Sequence, residues 1–196
     1  MKTYPKIDTV TSCLVSFVDE ICRLKLTQLF LDDTTRVVLK ESSDGGDYIN
    51  ASYVNMEIPS SAIINRYIAT QGPLNNTCND FWLMVWEQKS CLIVSATPLI
   101  ERGRIKCSKY WPDINQSMDV GNGLTVMCSK ETETESMTER ELMLTQDKET
   151  RLITHIQYIS WPDHGVPEDC SDFLSLVNKV RSMRMGSVDP VVVHCR

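Results

Sequence analysis

Two stretches of this 196-residue chain carry side chains able to do nucleophilic and acid–base chemistry. The first is "PVVVHC" (190–195), in which three valines lead to His194 and Cys195. Cysteine attacks as its thiolate, which is favoured where a loop opens into a helix N-terminus rich in backbone N–H groups. A strand delivering Cys195 to the carboxyl edge of an open α/β sheet would put it where such sheets hold ligands. Burial of the thiol as a small apolar group is the competing reading of the same residues. The second stretch is "YISWPDHGVPED" (158–169). Pro162 fixes its own φ and biases Trp161 toward an extended backbone, while Gly165 and Pro167 shape the rest of the turn. Asp163 is thereby presented on a stiff loop beside an aromatic pivot, which suits a general acid delivered by a closing lid. A structural turn in which Asp163 only satisfies backbone N–H groups fits the same residues.

The elements that would position these groups follow from periodicity. Val10, Leu14, Phe17, Val18 and Ile21 recur at helical spacing over residues 10–26. "TRVVL" (35–39), "DYINASYV" (47–54) and "RYIATQ" (66–71) read as strands parted by polar turns. After "GPLNN", Thr77 is placed to cap a helix over "CNDFWLMVWEQ". "CLIVSA" (91–96) is a short apolar run typical of a strand covered on both faces. "IKCSKYW", "LTVMCSK", "RELMLTQ" and "ITHIQYISW" read as further strands, and "ETETES" (131–136) as a charged turn. "DCSDFLSLVNKVRSMRM" is a second amphipathic helix, with Asp169 or Ser171 as its cap and Gly186 past its end. Strands that first run in succession and then alternate with helices predict an α/β fold, a mixed sheet with helices on its faces.

Composition narrows the function classes. Hydrophobic residues make up 42% and charged residues 23%, with a net charge of −6. That excludes a nucleic-acid binder working through a basic face. Eight cysteines form no CxxC pair, and His155, His164 and His194 lack zinc-ligand spacing. No metal and no cofactor is expected, and the thiols read as small buried groups in a reducing compartment, the cytoplasm. No window is apolar for 18 residues, so no transmembrane segment is expected. Trp82, Trp86 and Trp111 read as core, Tyr48 and Asn50 as core and hydrogen-bond scaffolding, and His155 is given no metal role.

"DYINASYV", "YIATQGPL", "ERGRIKCSKYWP", "WPDHGVP" and "VVVHC" stand in the order found in cysteine-dependent protein tyrosine phosphatase domains. The resemblance spans roughly residues 33–195. "YVNMEIPSS", "ERGRIKC" and "HIQYISWPDHGVPEDCSDFL" are most similar to the cytosolic subgroup with band 4.1 (FERM) and PDZ domains. The resemblance implies a highly twisted mixed sheet with helices on both faces and hydrolysis of phosphotyrosine in proteins. It makes Cys195 the nucleophile that becomes a cysteinyl-phosphate, His194 the neighbour that helps keep the thiolate ionised, and Asp163 the general acid. Trp161 becomes the pivot of the mobile loop, Glu101 the carboxylate orienting a phosphate-binding arginine, and Lys106 a residue facing the lid. Without the resemblance, Glu101 and Lys106 read as solvated hairpin charges. A monomer is expected, with cytoskeletal or membrane association in a longer form.

Two departures temper the activity expected. The family pattern continues past its cysteine through five residues to an arginine, whereas this chain carries only Arg196 after Cys195. The fold is therefore expected to be incomplete at that end, activity little or none, and several hundred Å² of apolar surface bare around the last strand. A catalytically dead interaction module or a non-functional isoform are the alternatives. Residues 1–32 are expected to be a divergent segment whose helix replaces the phosphotyrosine loop, as alternative splicing or an exon-prediction choice would produce. Leu26 stands nearest the position of that loop's stacking tyrosine.

Overall fold

The structure, a computed structural model, describes residues 34–40, 45–58, 63–101, 103–160, 171–184 and 186–195. The helix expected over 10–26, the whole segment 1–32, and Trp161, Asp163 and Asp169 lie outside the described residues.

Among the described residues eleven strands and two helices follow in the order β1 (Arg36–Val38), β2 (Tyr48–Ile58), β3 (Ile63–Thr70), α1 (Cys78–Glu87), β4 (Leu92–Ser95), β5 (Ile100–Glu101) and β6 (Arg104–Ile105). There follow β7 (Ser117–Asp119), β8 (Leu124–Glu133), β9 (Met137–Gln146), β10 (Glu149–Tyr158), α2 (Ser171–Arg184) and β11 (Val191–His194). Nine of the strands form one sheet in the order β1-β2-β3-β11-β4-β10-β9-β8-β7, and β5 pairs with β6 as a separate hairpin. β3, β11, β4 and β10 run parallel at its centre, and the flanking strands are antiparallel.

The central strands are apolar on both sides because both sides are covered. Val192 joins Ile68, Ile93 and the α1 residues Phe81, Trp82 and Val85 in one core. Val191 and Val193 face the other way, to Tyr67, Val94 and the α2 residues Phe173, Leu176, Val177 and Val180. One four-residue strand thus feeds both cores through its period of two. The bare sheet face expected around this strand is corrected, since all four residues of β11 are buried beneath the two helices.

Other expectations are revised locally. Thr77 stands at the N-cap of α1 but makes no capping bond; its hydroxyl is turned into the preceding turn, accepting from Leu74 N at 2.9 Å. "IKCSKYW" yields strand only at Ile105, the end of β6, because Ser108 N donates to Pro73 O and Trp82 Nε1 donates to Tyr110 O. β8 continues to Glu133, so half of "ETETES" is strand and Glu131 pairs across it with Arg140. Tyr48 is exposed and Trp86 only half-buried, its ring under the Arg151 guanidinium at 3.6 Å. Cys91 is exposed, whereas Cys107 and Cys128 are buried as expected.

Candidate active site

Because β3, β11, β4 and β10 are parallel, their carboxyl ends share one edge of the sheet. Cys195 follows β11 directly at that edge and is half-buried. His194 O accepts from Ala96 N at 2.9 Å, which ties the loop leaving β4 to the strand end. From the β3 side comes Gly72, where a Cβ would lie 2.8 Å from Cys195 O and 3.1 Å from both Cβ and Sγ of Cys107. Gly72 therefore marks a close approach of backbone to backbone, the use for which a missing side chain is needed. β10 ends at Tyr158 on the same edge, and the chain continues from there toward residues 161–170.

His194 is fully buried and held from both ring nitrogens. Nδ1 donates to Cys195 O at 3.1 Å, since a carbonyl can only accept, and Nε2 meets Tyr110 Oη at 2.7 Å. Burial pushes the imidazole down to about 4, partly offset by its bond to the Cys195 carbonyl. At neutral pH the ring is uncharged. For His194, expected to help keep the thiolate ionised, the structure shows a grip on the Cys195 backbone through Nδ1. Cys107, beside the site, is pushed up to about 12 by burial and by the neighbouring Cys78 and Cys195, so its thiol stays protonated.

The hairpin β5–β6 carries Glu101, paired through its backbone with Arg104; the Glu101 side chain lies outside the described residues. Lys106 leaves that hairpin with its N–H donating to Leu99 O at 2.8 Å, one residue before Cys107. Its segment therefore reaches the Cys195 edge. Trp161 and Asp163 lie outside the described residues. Three residues had no assigned part: Gly72 and Tyr110 beside the site, and Arg140, which reaches it only through His155 and Tyr110. Gly72 and Tyr110 stand inside the quoted motifs "YIATQGPL" and "ERGRIKCSKYWP", which is the signal that could have found them. Among the described residues no group of three or more His, Cys, Asp or Glu is placed to hold a metal ion.

A family profile described as protein-tyrosine phosphatase matches residues 22–196. The chain belongs to the protein-tyrosine phosphatase family. It is 53% identical over 165 residues to tyrosine-protein phosphatase 1 of Caenorhabditis elegans, covering 83% of this chain and 16% of that protein. It is 47% identical over 193 residues to human tyrosine-protein phosphatase non-receptor type 4, covering 98% of this chain and 20% of that protein. The human phosphatidylinositol phosphatase PTPRQ is 34% identical over 164 residues, 84% of this chain and 7% of that protein. The chain thus spans a fifth or less of these phosphatases. The non-receptor relative agrees with the subgroup that "YVNMEIPSS" and "HIQYISWPDHGVPEDCSDFL" resemble.

Proposed function

We propose that Cys195 is the nucleophile of a phosphatase acting on phosphotyrosine in proteins. Its Sγ forms a bond to phosphorus as the bond to the tyrosine oxygen breaks, and Asp163 supplies the proton to the leaving phenolate. Water then displaces sulfur from phosphorus, giving its proton to Asp163 and releasing phosphate. Trp161 pivots the loop that carries Asp163, Glu101 orients a phosphate-binding arginine, and Lys106 faces the closed lid. His194 holds the Cys195 peptide in place. The observation that carries this reading is Cys195 at the carboxyl end of a central parallel strand, in a chain of this family.

Phosphotyrosine is preferred to a lipid phosphate because the two relatives named tyrosine-protein phosphatases share 53% and 47% identity, against 34% for the one named for phosphatidylinositol. The protein works as a monomer in the cytoplasm, binds no nucleic acid, and has no resident cofactor. No helix among the described residues is long and apolar enough to cross a membrane.

The test uses the chain continued through a Cys-x5-Arg loop and its helix. Phosphate release is measured from a phosphotyrosine peptide and from phosphatidylinositol phosphate vesicles. Phosphate is expected to be released from the peptide; Cys195→Ser abolishes release and Asp163→Asn lowers it by about 10²–10⁴. Release that survives Cys195→Ser refutes the nucleophile assignment.

A further inference from the structure

A buried row of polar groups crosses the sheet behind Cys195. Arg140 Nη1 lies 3.4 Å from His155 Nδ1. His155 Nε2 lies 2.8 Å from Tyr110 Oη, which in turn lies 2.7 Å from His194 Nε2. His194 Nδ1 reaches Cys195 O at 3.1 Å. Both histidines are 0% exposed, as is Tyr110, and Arg140 is 8% exposed.

The two ends of this row have opposite and unchangeable sense. A guanidinium only donates, and a carbonyl only accepts. Between them stand two neutral imidazoles, each with one N–H and one bare nitrogen, and one hydroxyl with a single hydrogen. One assignment satisfies all four contacts. Arg140 donates to a bare His155 Nδ1, and His155 Nε2–H donates to Tyr110 Oη. Tyr110 then spends its hydrogen on a bare His194 Nε2, and His194 Nδ1–H donates to Cys195 O. A side branch keeps the same sense: Arg140 Nη1 donates to Gln157 Oε1 at 3.1 Å, and Gln157 Nε2 donates to Thr97 O at 3.2 Å.

Arg140 is itself fixed. Its Nε donates to Glu131 Oε2 at 2.5 Å, and its guanidinium lies 4.5 Å from the Trp111 ring centroid. It sits on β9, while Cys195 follows β11, with β4 and β10 between those strands in the sheet. Without its donor, His155 is able to carry its proton on either nitrogen, and Tyr110 Oη then faces two acceptors with one hydrogen to share.

We propose that Arg140 is a positioning residue of the Cys195 site: by donating to His155 Nδ1 it commits the hydrogen of Tyr110 to His194, which holds the Cys195 carbonyl. This rests on the reading of Cys195 as the site, but its test needs no turnover, so the two fail independently.

The test is ¹⁵N-histidine NMR of the 196-residue polypeptide at neutral pH, with the three histidines assigned by single His→Gln changes. His155 is expected as the pure Nε2–H form and His194 as the pure Nδ1–H form. In Arg140→Met the two His155 nitrogen resonances are expected to move toward each other, as its tautomers mix, and the His194 Nε2 resonance to shift with them. Tyr110→Phe cuts the row but leaves Arg140 against His155, so His155 is expected to stay Nε2–H. A parent His155 protonated on Nδ1 overturns the proposal. So does a folded Arg140→Met in which His155 keeps its single form, or a mixed His155 in Tyr110→Phe. If Arg140→Met does not fold, the parent and Tyr110→Phe spectra decide.

Discussion

Placing a methyl group at Gly72 probes how tightly the Cys195 backbone is held. The added Cβ would stand 2.8 Å from Cys195 O and 3.1 Å from Cβ and Sγ of Cys107. Non-bonded carbon contacts are most favourable at about 3.5–4.0 Å, so three atoms would be approached too closely at once. Gly72 is not among the glycines with positive φ, so the cost is one of space and not of backbone strain. None of the three atoms has room to retreat. The Cys195 carbonyl is tied to His194 Nδ1 at 3.1 Å, His194 to Tyr110 at 2.7 Å, and Cys107 is 2% exposed. Overpacking of this kind costs about 1–3 kcal/mol. For a chain of this size that lowers Tm by roughly 2–12 °C. Thermal melts of Gly72→Ala measure it, with Gly46→Ala as control, because a Cβ at Gly46 meets nothing within 4 Å and its φ is not positive. The control is expected to be neutral or to gain about 0.4–1 kcal/mol from lost chain entropy. A Gly72→Ala melt that overlays the parent's refutes the reasoning.

Three further outcomes follow from the same geometry. His194 has a folded pKa of about 4 against an ordinary value of 6.5, so between those values the unfolded chain binds more protons. Its contribution is whole above pH 6.5 and disappears as pH falls toward 4, on the order of 3 kcal/mol in all, with His155 acting in the same direction. Melts from pH 7 to pH 5 should show falling Tm, and a flat profile contradicts the assignment. Tyr110→Phe leaves the Nε2 atoms of His155 and His194 without their shared partner, at about 1–3 kcal/mol for each buried orphan. Chemical denaturation reads that loss, and full stability rejects it. Arg151→Ala removes a guanidinium stacked 3.6 Å from the Trp86 ring centroid and donating to Trp86 O at 2.7 Å, a loss of about 1–3 kcal/mol. Glu149→Ala, which breaks only the exposed ion pair of Arg151, should leave the melt unchanged, and equal losses from both changes disprove the contrast.

The continuous apolar runs were legible as central strands because "CLIVS" and "VVVH" have no polar face to offer water, and β4 and β11 are buried throughout. The same holds for α1, whose run from Phe81 to Val85 is buried throughout. What escaped is what sequence neighbours do not determine. Tyr110 meets residues 45 and 84 positions away, and Arg140 meets His155 across a strand pair. No local spacing encodes those contacts; they arise from strand register and sheet order. Tyr48 looked like core by type, but it falls at the first residue of β2 near the sheet's edge and is 62% exposed. Thr77 had a capping residue's identity, yet its hydroxyl found a nearer donor in Leu74 N. Cys91 belongs to an apolar run but precedes the first paired residue of β4, outside the covered stretch.

The sheet order also governs the timetable of assembly. β1, β2 and β3 pair among themselves, as do β4, β10, β9, β8 and β7, yet among the described residues no backbone ladder joins the two groups except through β11. That wedge comes from residues 191–194 and slots beside strands made some hundred or more residues earlier. On a ribosome the two half-sheets would wait, each with an open central edge, until the wedge emerged. Closure of such distant loops is slow, and open strand edges invite the wrong partner. Chaperone demand during synthesis should therefore persist until those four residues are free and fall sharply afterwards.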